Sequence, residues 1–221
     1  MLDPLLISLK LSLITTFILL LVALPLAYVL AFCSFKGRTA LEVLVALPLV
    51  LPPTVLGYFI LVMIAPNTLL GRAWQDVFDA SLAFSFSGMV LASVLYSLPF
   101  AVQPMQQALR AIPKAWLEMA HTQGLDFKQR LWLVILPASK GGVLVAGALS
   151  FAHTMGEFGV VLMVGGSIPG ETKVASIALF ELVEMQQGAQ AWWLSLILLA
   201  ISFVMLSVVY SVNRQRVGLF K

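Results

Sequence analysis

Five stretches of this sequence are long and apolar enough to cross a lipid bilayer, and no other property narrows its fold so far. A span needs about 20 mainly apolar residues. Roughly Leu5–Phe35, Leu41–Ala65, Phe84–Gln103, Ala138–Val164 and Ala189–Val212 meet that length. Only 10% of the 221 residues are charged and 61% are hydrophobic, with a mean hydropathy of +1.01. A soluble domain carries about 25% charged residues, so that class is excluded. The expectation is an all-α membrane protein, one domain over residues 1–221 with about five transmembrane helices. The first apolar run continues well past the roughly 7–15 residues of a signal-peptide core.

Lys and Arg set the orientation of such a chain. Lys36, Arg38, Arg110, Lys114, Lys128, Arg130, Lys140, Arg214, Arg216 and Lys221 fall on one side, and only Lys10, Arg72 and Lys173 on the other. The basic side is expected to be cytoplasmic, which puts the N-terminus outside and the C-terminus in the cytoplasm. The net charge of +3 then reflects sidedness and not nucleic-acid binding. Cys33 is the single cysteine, which excludes an intrachain disulfide and a Cys-rich metal site.

The long hydrophilic interruption is RAIPKAWLEMAHTQGLDFKQRLWLVILP, Arg110–Pro137, in a loop counted from Pro104. It exceeds the roughly 12–15 residues at which structureless loops become uncommon, so it is expected to fold. Pro113 suits the first turn of a helix. Ile112, Trp116, Met119 and Ala120 recur at i, i+4, i+7, i+8 as one apolar stripe. Gly124 sits where a helix would end in a left-handed residue, and Asp126 with Gln129 reads as the cap of a second helix running towards Pro137. An amphipathic helix lying on the membrane surface is the alternative.

The spans carry their own signals. Pro25 is expected to kink the first. Pro48, Pro52 and Pro53 crowd the second, and Leu51 and Pro52 each precede a proline, which disfavours helix. Broken helices at membrane depth are tolerated only against protein or a water-filled cavity. Pro48–Gly57 is therefore expected to face inward, with Pro52, Pro53 and Thr54 as pathway candidates; a kink that only shapes packing is the other reading. The third span holds Ser87, Gly88, Ser93 and Ser97, which allow close helix approach, and runs past Pro99 and Pro104 as a stiff lever. The fourth, with Gly141, Gly142, Gly147, Gly156 and Gly159, is expected to be a tightly packed central helix. His153 and Glu157, at i and i+4, would share a face, with Thr154 and Gly156 beside them. Two ligands make an incomplete metal site, so no metal is expected. An ionisable residue inside a span is a functional candidate; His153 reads as a packing hydrogen bond, and Glu157 as either gate or packing group. Asn67–Ser81 and Val174–Gln186 are expected to form short helices on the outer side.

Glu118, Ala120, Gly124, Ile135, Leu136 and Pro137, with Met119 in place of the usual first alanine, resemble the EAA loop of ABC-importer permeases. PLVLPPTVLGYFILV at Pro48–Val62 and FAHTMGEFGVVLMVGGSIPGETK at Phe151–Lys173 resemble the molybdate/tungstate branch of that family, with sulfate/thiosulfate permeases as its nearest relatives. The resemblance covers nearly the whole chain. It implies the type I ABC-importer permease fold, with a coupling helix in the 104–137 loop that meets the ATPase through Pro113, Trp116, Glu118, Met119, Ala120, Gly124, Leu125 and Pro137. It also implies a permease homodimer, two cytoplasmic ATPase subunits and an extracytoplasmic oxyanion-binding protein. ATP and Mg would belong to the ATPase, with no cofactor on this chain. Against a dianionic cargo, like charges about 4 Å apart at an effective dielectric of 20 repel by about 4 kcal/mol. Glu157 is therefore expected to tie helices at an outer gate and not to bind cargo directly.

The chain has no phosphate-binding glycine loop with Lys and Ser/Thr, no nucleophile–base pair and no carboxylate dyad. It is expected to be non-catalytic and to borrow its energy. A secondary transporter would need inverted repeats and intramembrane charges for coupling ions; no repeat is visible, and Glu157 stands nearly alone.

Overall fold

The computed structural model describes residues 2–217, with side chains as far as Ser207. Lys221 of the basic tail lies outside the described residues. Helix α1, Leu2–Phe32, is unbroken at Pro25. Its 31 residues reach about 46 Å at 1.5 Å per residue, enough to cross a hydrocarbon core of about 30 Å with length to spare. A turn at Gly37 (φ 100°) leads into α2, Arg38–Ala46.

The prolines of the second apolar stretch break it. A 3₁₀ turn at Leu47–Leu49 and an extended Pro52 separate α2 from α3, Pro53–Met63, and the chain bends by 111° between the two halves. With 11 residues, α3 is about 16 Å long and cannot cross alone. Leu41–Ala65 is thus a bent pair and not one helix. Around the break Pro48 and Gly57 are buried, whereas Val50, Pro52, Pro53, Thr54 and Val55 are exposed on this chain; Pro53 and Thr54 border a cavity, as a break at membrane depth requires. The bend carries the segment to the edge of the bundle, where it has neighbours on one side only.

Thr68 caps α4, Leu69–Phe78, by accepting from the Gly71 N–H at 3.1 Å, and Trp74 stacks on Phe78 with ring centroids 4.1 Å apart. Ser85 caps α5 in the same way through the Gly88 N–H at 3.1 Å. Helix α5, Phe86–Arg110, runs through Pro99 and Pro104 without a break. Residues 104–110, counted with the loop from sequence, therefore belong to the span.

Two short helices follow, α6 at Lys114–Thr122 and α7 at Phe127–Arg130. A π segment, Leu131–Ile135, joins α7 to α8, Leu136–Met155. Here the sequence reading is corrected. Pro137 does not end the loop but sits in the first turn of α8, inside a continuous 29-residue helical run from Phe127 to Met155. The proline ring would clash with the carbonyl one turn back. The wider π turn, with the Leu136 N–H bonded to the Leu131 carbonyl, absorbs that conflict without a kink. The fourth stretch is not one helix to Val164 either: it stops at Met155 and restarts as α9, Gly159–Gly165. Helix α10, Ala175–Glu184, and the long α11, Gly188–Val217, complete the chain.

The core is built by α1, α5 and α8. Leu19, Ala23, Ala27 and Leu30 of α1 pack against Ala101, Val102, Met105 and Leu109 of α5 and Ala146 of α8. Four alanines lie in this contact among larger leucine, valine and methionine side chains, and they let the helices approach closely, as packing in lipid favours. A second cluster joins α3, α5 and α9 through Ile60, Ile64, Ala92, Val160 and Val164. Glycines bring α3 and α9 together: a methyl group on Gly57 would lie 2.8 Å from the Met163 Cβ, and one on Gly159 2.9 Å from the Pro53 Cβ. Both helices therefore start at the same level and run the same way, as parallel half-helices beside α5.

Candidate functional site

The break in the second stretch and the break in the fourth meet at one cavity of about 580 Å³. Pro53 and Thr54 line it from the start of α3, Tyr96 from α5, Ala152 and His153 from the end of α8. Gly156, Glu157, Phe158 and Gly159 line it from the connection into α9. Lys10 of α1 lies over the Phe86 ring, 4.7 Å from its centroid, and marks the end of the bundle remote from the loop. Tyr96 is about 15 Å further along α5, so the cavity is sunk well inside the apolar layer.

Of the residues expected here, Pro53, Thr54, His153, Gly156 and Glu157 are brought together. Pro52 adjoins them as the N-cap of α3. Thr154 turns away and shares a 3.1 Å hydrogen bond with the Ser97 hydroxyl. His153 and Glu157 do not occupy one helix face, because α8 ends at Met155 and Gly156 caps it. They reach the same cavity from a helix and from the connection after it.

His153 is tied to α5. Its Nδ1 is 2.8 Å from the Ser97 hydroxyl, its ring stacks on Phe100 at 4.0 Å, and Tyr96 lies against it at 4.7 Å. Glu157 is held only by its backbone: its N–H donates to the Thr154 carbonyl at 3.3 Å, and its carbonyl accepts from the Ser176 hydroxyl of α10. Its side chain is 4% exposed, and neither carboxyl oxygen has a hydrogen-bond partner among the described residues. The tie from this connection to α10 runs through the peptide carbonyl of Glu157. Tyr96 and Phe100 escaped the sequence reading, and Ser97 was read only as a small residue that allows close helix approach. With Ser93 they recur at i, i+3, i+4, i+7 along the third span, a helical face that periodicity alone could have marked.

The loop forms a second site. Helix α6 ends in a Schellman motif: the Leu125 N–H bonds the Ala120 carbonyl at 3.1 Å and the Gly124 N–H the His121 carbonyl at 3.0 Å. Gly124 has φ 74°, the left-handed conformation that the motif requires. Asp126 then caps α7 with a complete capping box, the Gln129 N–H donating to its carboxylate at 2.7 Å and its own N–H to the Gln129 side chain at 2.9 Å.

The apolar stripe of α6 is divided. Ile112 and Ala120 are buried against the bundle, whereas Trp116 (46% exposed) and Met119 (54%) face outward, as do Pro113 and Glu118. A helix resting on bundle on one side and open on the other cannot bury one stripe whole. Trp116, Met119, Leu125, Leu133, Pro137 and Lys140 are among the residues lining an open cleft of about 560 Å³ between α6 and the root of α8. Among the described residues, no group of three His, Cys, Asp or Glu side chains converges as a metal site would require.

Crossing helices around a partly open cavity that carries Thr54, Tyr96, His153 and Glu157, with an ordered helix-turn-helix presented at one end, are the architecture of a multi-pass membrane protein. The chain belongs to the family of binding-protein-dependent transport system inner membrane components, whose model matches residues 8–217. It is 43% identical over 212 residues to the molybdenum transport system permease protein ModB of Azotobacter vinelandii, covering 96% of this chain and 94% of that one. To the sulfate transport system permease protein CysT of Synechocystis it is 31% identical, covering 83% of this chain and 64% of the relative. A solved structure of a bacterial alginate ABC transporter, in complex with an alginate pentasaccharide-bound periplasmic protein, shares the fold: its TM-score is 0.73 at 17% identity, over 97% of this chain and 78% of that chain.

Proposed function

We propose that this chain is the permease subunit of an ATP-driven importer that carries molybdate, or tungstate, across the inner membrane. The observation that carries the reading is the end-to-end match, at 43% identity, to a molybdenum transport permease. The match to a sulfate permease is lower and leaves about a third of that relative uncovered. The chain acts as a homodimer and catalyses no reaction itself. Two ATPase subunits bind at the Arg110–Pro137 end, where Trp116, Glu118 and Met119 stand exposed beside the open cleft. An oxyanion-binding protein docks at the opposite end. The distribution of Lys and Arg places the loop and the C-terminus in the cytoplasm and the N-terminus outside.

The cavity between α3, α5, α8 and α9 is part of the anion's route. Its open side is the exposed Pro52–Val55 edge, which a second copy would face across the dimer. The test is reconstitution of the permease with its ATPase and with a receptor loaded in turn with molybdate, tungstate and sulfate. ATP-dependent uptake of the first two is expected. Uptake of sulfate alone would transfer the chain to the sulfate branch, and uptake without ATP would make it a secondary transporter.

A further inference from the structure

Glu157 is the one group in the cavity whose chemistry the import reading leaves unused. The residue is 96% withdrawn from solvent, it lines the cavity, and its carboxyl oxygens have no partner of ordinary hydrogen-bond geometry among the described residues, the Ser93 hydroxyl of α5 being the group set towards them. A bare carboxylate in that setting carries a desolvation cost that only a paired cation or several donors offset. The titratable groups that line the cavity with it are Tyr96 from α5 and His153 from α8, whose Nδ1 is already committed to Ser97. The flanking segments of α3, α9 and α10 bring Thr54, Gly159 and Ser176; the charges on the α10 side, Lys173 and Glu181, are paired with each other.

No lysine or arginine lines the cavity. Lys10 lies about 15 Å along the bundle in one direction, and Lys140, near the root of α8, about 25 Å in the other.

The cavity also offers donors, beside the carbonyls at the end of α8 and the Thr54 and Tyr96 hydroxyls, which donate or accept. Pro52 and Pro53 have no N–H, so the first amide of α3 free to donate is that of Thr54, at the positive end of an 11-residue helix. An anion passing this point is thus offered hydrogen bonds from one side and a carboxyl group from the other. We propose that Glu157 meets a transiting oxyanion as a neutral carboxyl group that donates a hydrogen bond to an anion oxygen, so that it selects for hydrogen-bond-accepting oxyanions. The proton stays on Glu157 throughout. In its ionised form the same group repels the anion and closes the route.

This inference rests on the import reading, and two measurements separate their failures. The first needs no cargo. Infrared difference spectra of the purified permease, wild type against Glu157→Gln, should show a protonated-carboxyl band at neutral pH that the variant lacks; absence of any difference overturns the proposal and leaves the import reading standing. The second is ATP-driven molybdate uptake in liposomes holding the full complex, from about pH 6 to about pH 9.5. Wild-type uptake should fall at the alkaline end, approaching about tenfold per pH unit once the group titrates. Glu157→Gln, which donates at every pH, should lose that fall whatever its absolute rate. Superimposable profiles would refute the role of the proton. A complex that moves no oxyanion at any pH, with the carboxyl band present, would count against the import reading alone.

Discussion

Replacing Gly124 tests whether the turn after α6 transmits motion or merely connects two helices. The residue has φ 74°, and a Cβ built on it would meet nothing within 4 Å. Steric contact therefore contributes nothing, and a substitution is felt only through the backbone. A residue with a Cβ in the left-handed region costs about 1–2 kcal/mol, with the β-branched Val at the upper end. Helix α6 has nine residues, below the roughly 12–15 at which isolated helices become even marginal. It depends on its packing and on the two Schellman bonds at 3.0 and 3.1 Å. A loss of one or two kcal/mol changes the population of the intact turn by a factor of about 5–30. That is too little to unfold a bundle whose core lies in α1, α5 and α8, and enough to mis-set a docking helix for most of the time. Gly124→Val should insert and assemble normally yet lose most receptor-stimulated ATP hydrolysis in liposomes. Gly124→Asn should retain much of it, because Asn tolerates the left-handed conformation. Wild-type stimulation in the Val variant would refute the reasoning, and so would an Asn variant as defective as Val. Loss of bound ATPase from the Val variant would show the turn to be an anchor as well as a lever.

Gly159→Ala places a methyl group 2.9 Å from the Pro53 Cβ; overpacking of this kind costs about 1–3 kcal/mol, so thermal unfolding of the detergent-purified permease should shift down, and an unchanged midpoint would deny the close contact of α3 with α9. Asp126→Ala removes a complete capping box and should cost about 1 kcal/mol, read as faster amide exchange confined to α7 and the π segment. Hydrogen bonds from Lys173 and then Ser167 hold the Glu181 carboxyl below its ordinary range. The stabilisation they give is present above the unfolded carboxylate range and lost as pH falls through the lower folded value, so Glu181→Gln should exchange faster than wild type in α10 at neutral pH, with the difference shrinking as the pH is lowered below the carboxylate range. With Cys33 replaced, a cysteine at exposed Glu171 should label from outside intact cells and one at exposed Ala115 should not; the reverse pattern would invert the proposed orientation.

The sequence was most legible where local chemistry has one solution. Apolar runs of span length announced α1, α5, α8 and α11, and Asp126 stands at a helix start because its side chain satisfies an amide that has no partner within the helix. Gly124 was readable for the same reason, since a left-handed residue after an amphipathic segment has few identities. Periodicity was less informative in the fourth stretch, where glycine, alanine and valine are equally at home in a continuous helix and a broken one. The end of α8 at Met155 is set by tertiary contact: Gly159 must approach Pro53 closely, and the chain can reach that position only by leaving the α8 axis. Pro137 misled in the opposite direction. A proline commonly marks a boundary, but a π turn can absorb one, and nothing in LWLVI distinguishes a π turn from an ordinary one.

The breaks at Pro52–Pro53 and at Gly156–Phe158 are separated by about half the sequence and act as one feature. Each exposes helix-end amides or carbonyls that hydrocarbon would penalise by several kcal/mol apiece. Either break alone, facing lipid, would be untenable. Placed side by side, with α3 and α9 running parallel from the same level, they turn their open ends to a shared cavity that Tyr96, His153 and Glu157 already make polar. Gly57 and Gly159 permit that alignment, and the backbone bond from Ser176 to the Glu157 carbonyl holds the connection in place. Moving one break by a single turn would leave its free ends opposite apolar side chains of the other half-helix. The prolines of the second stretch and the glycines of the fourth therefore constrain each other's positions, although neither is visible from the other along the chain.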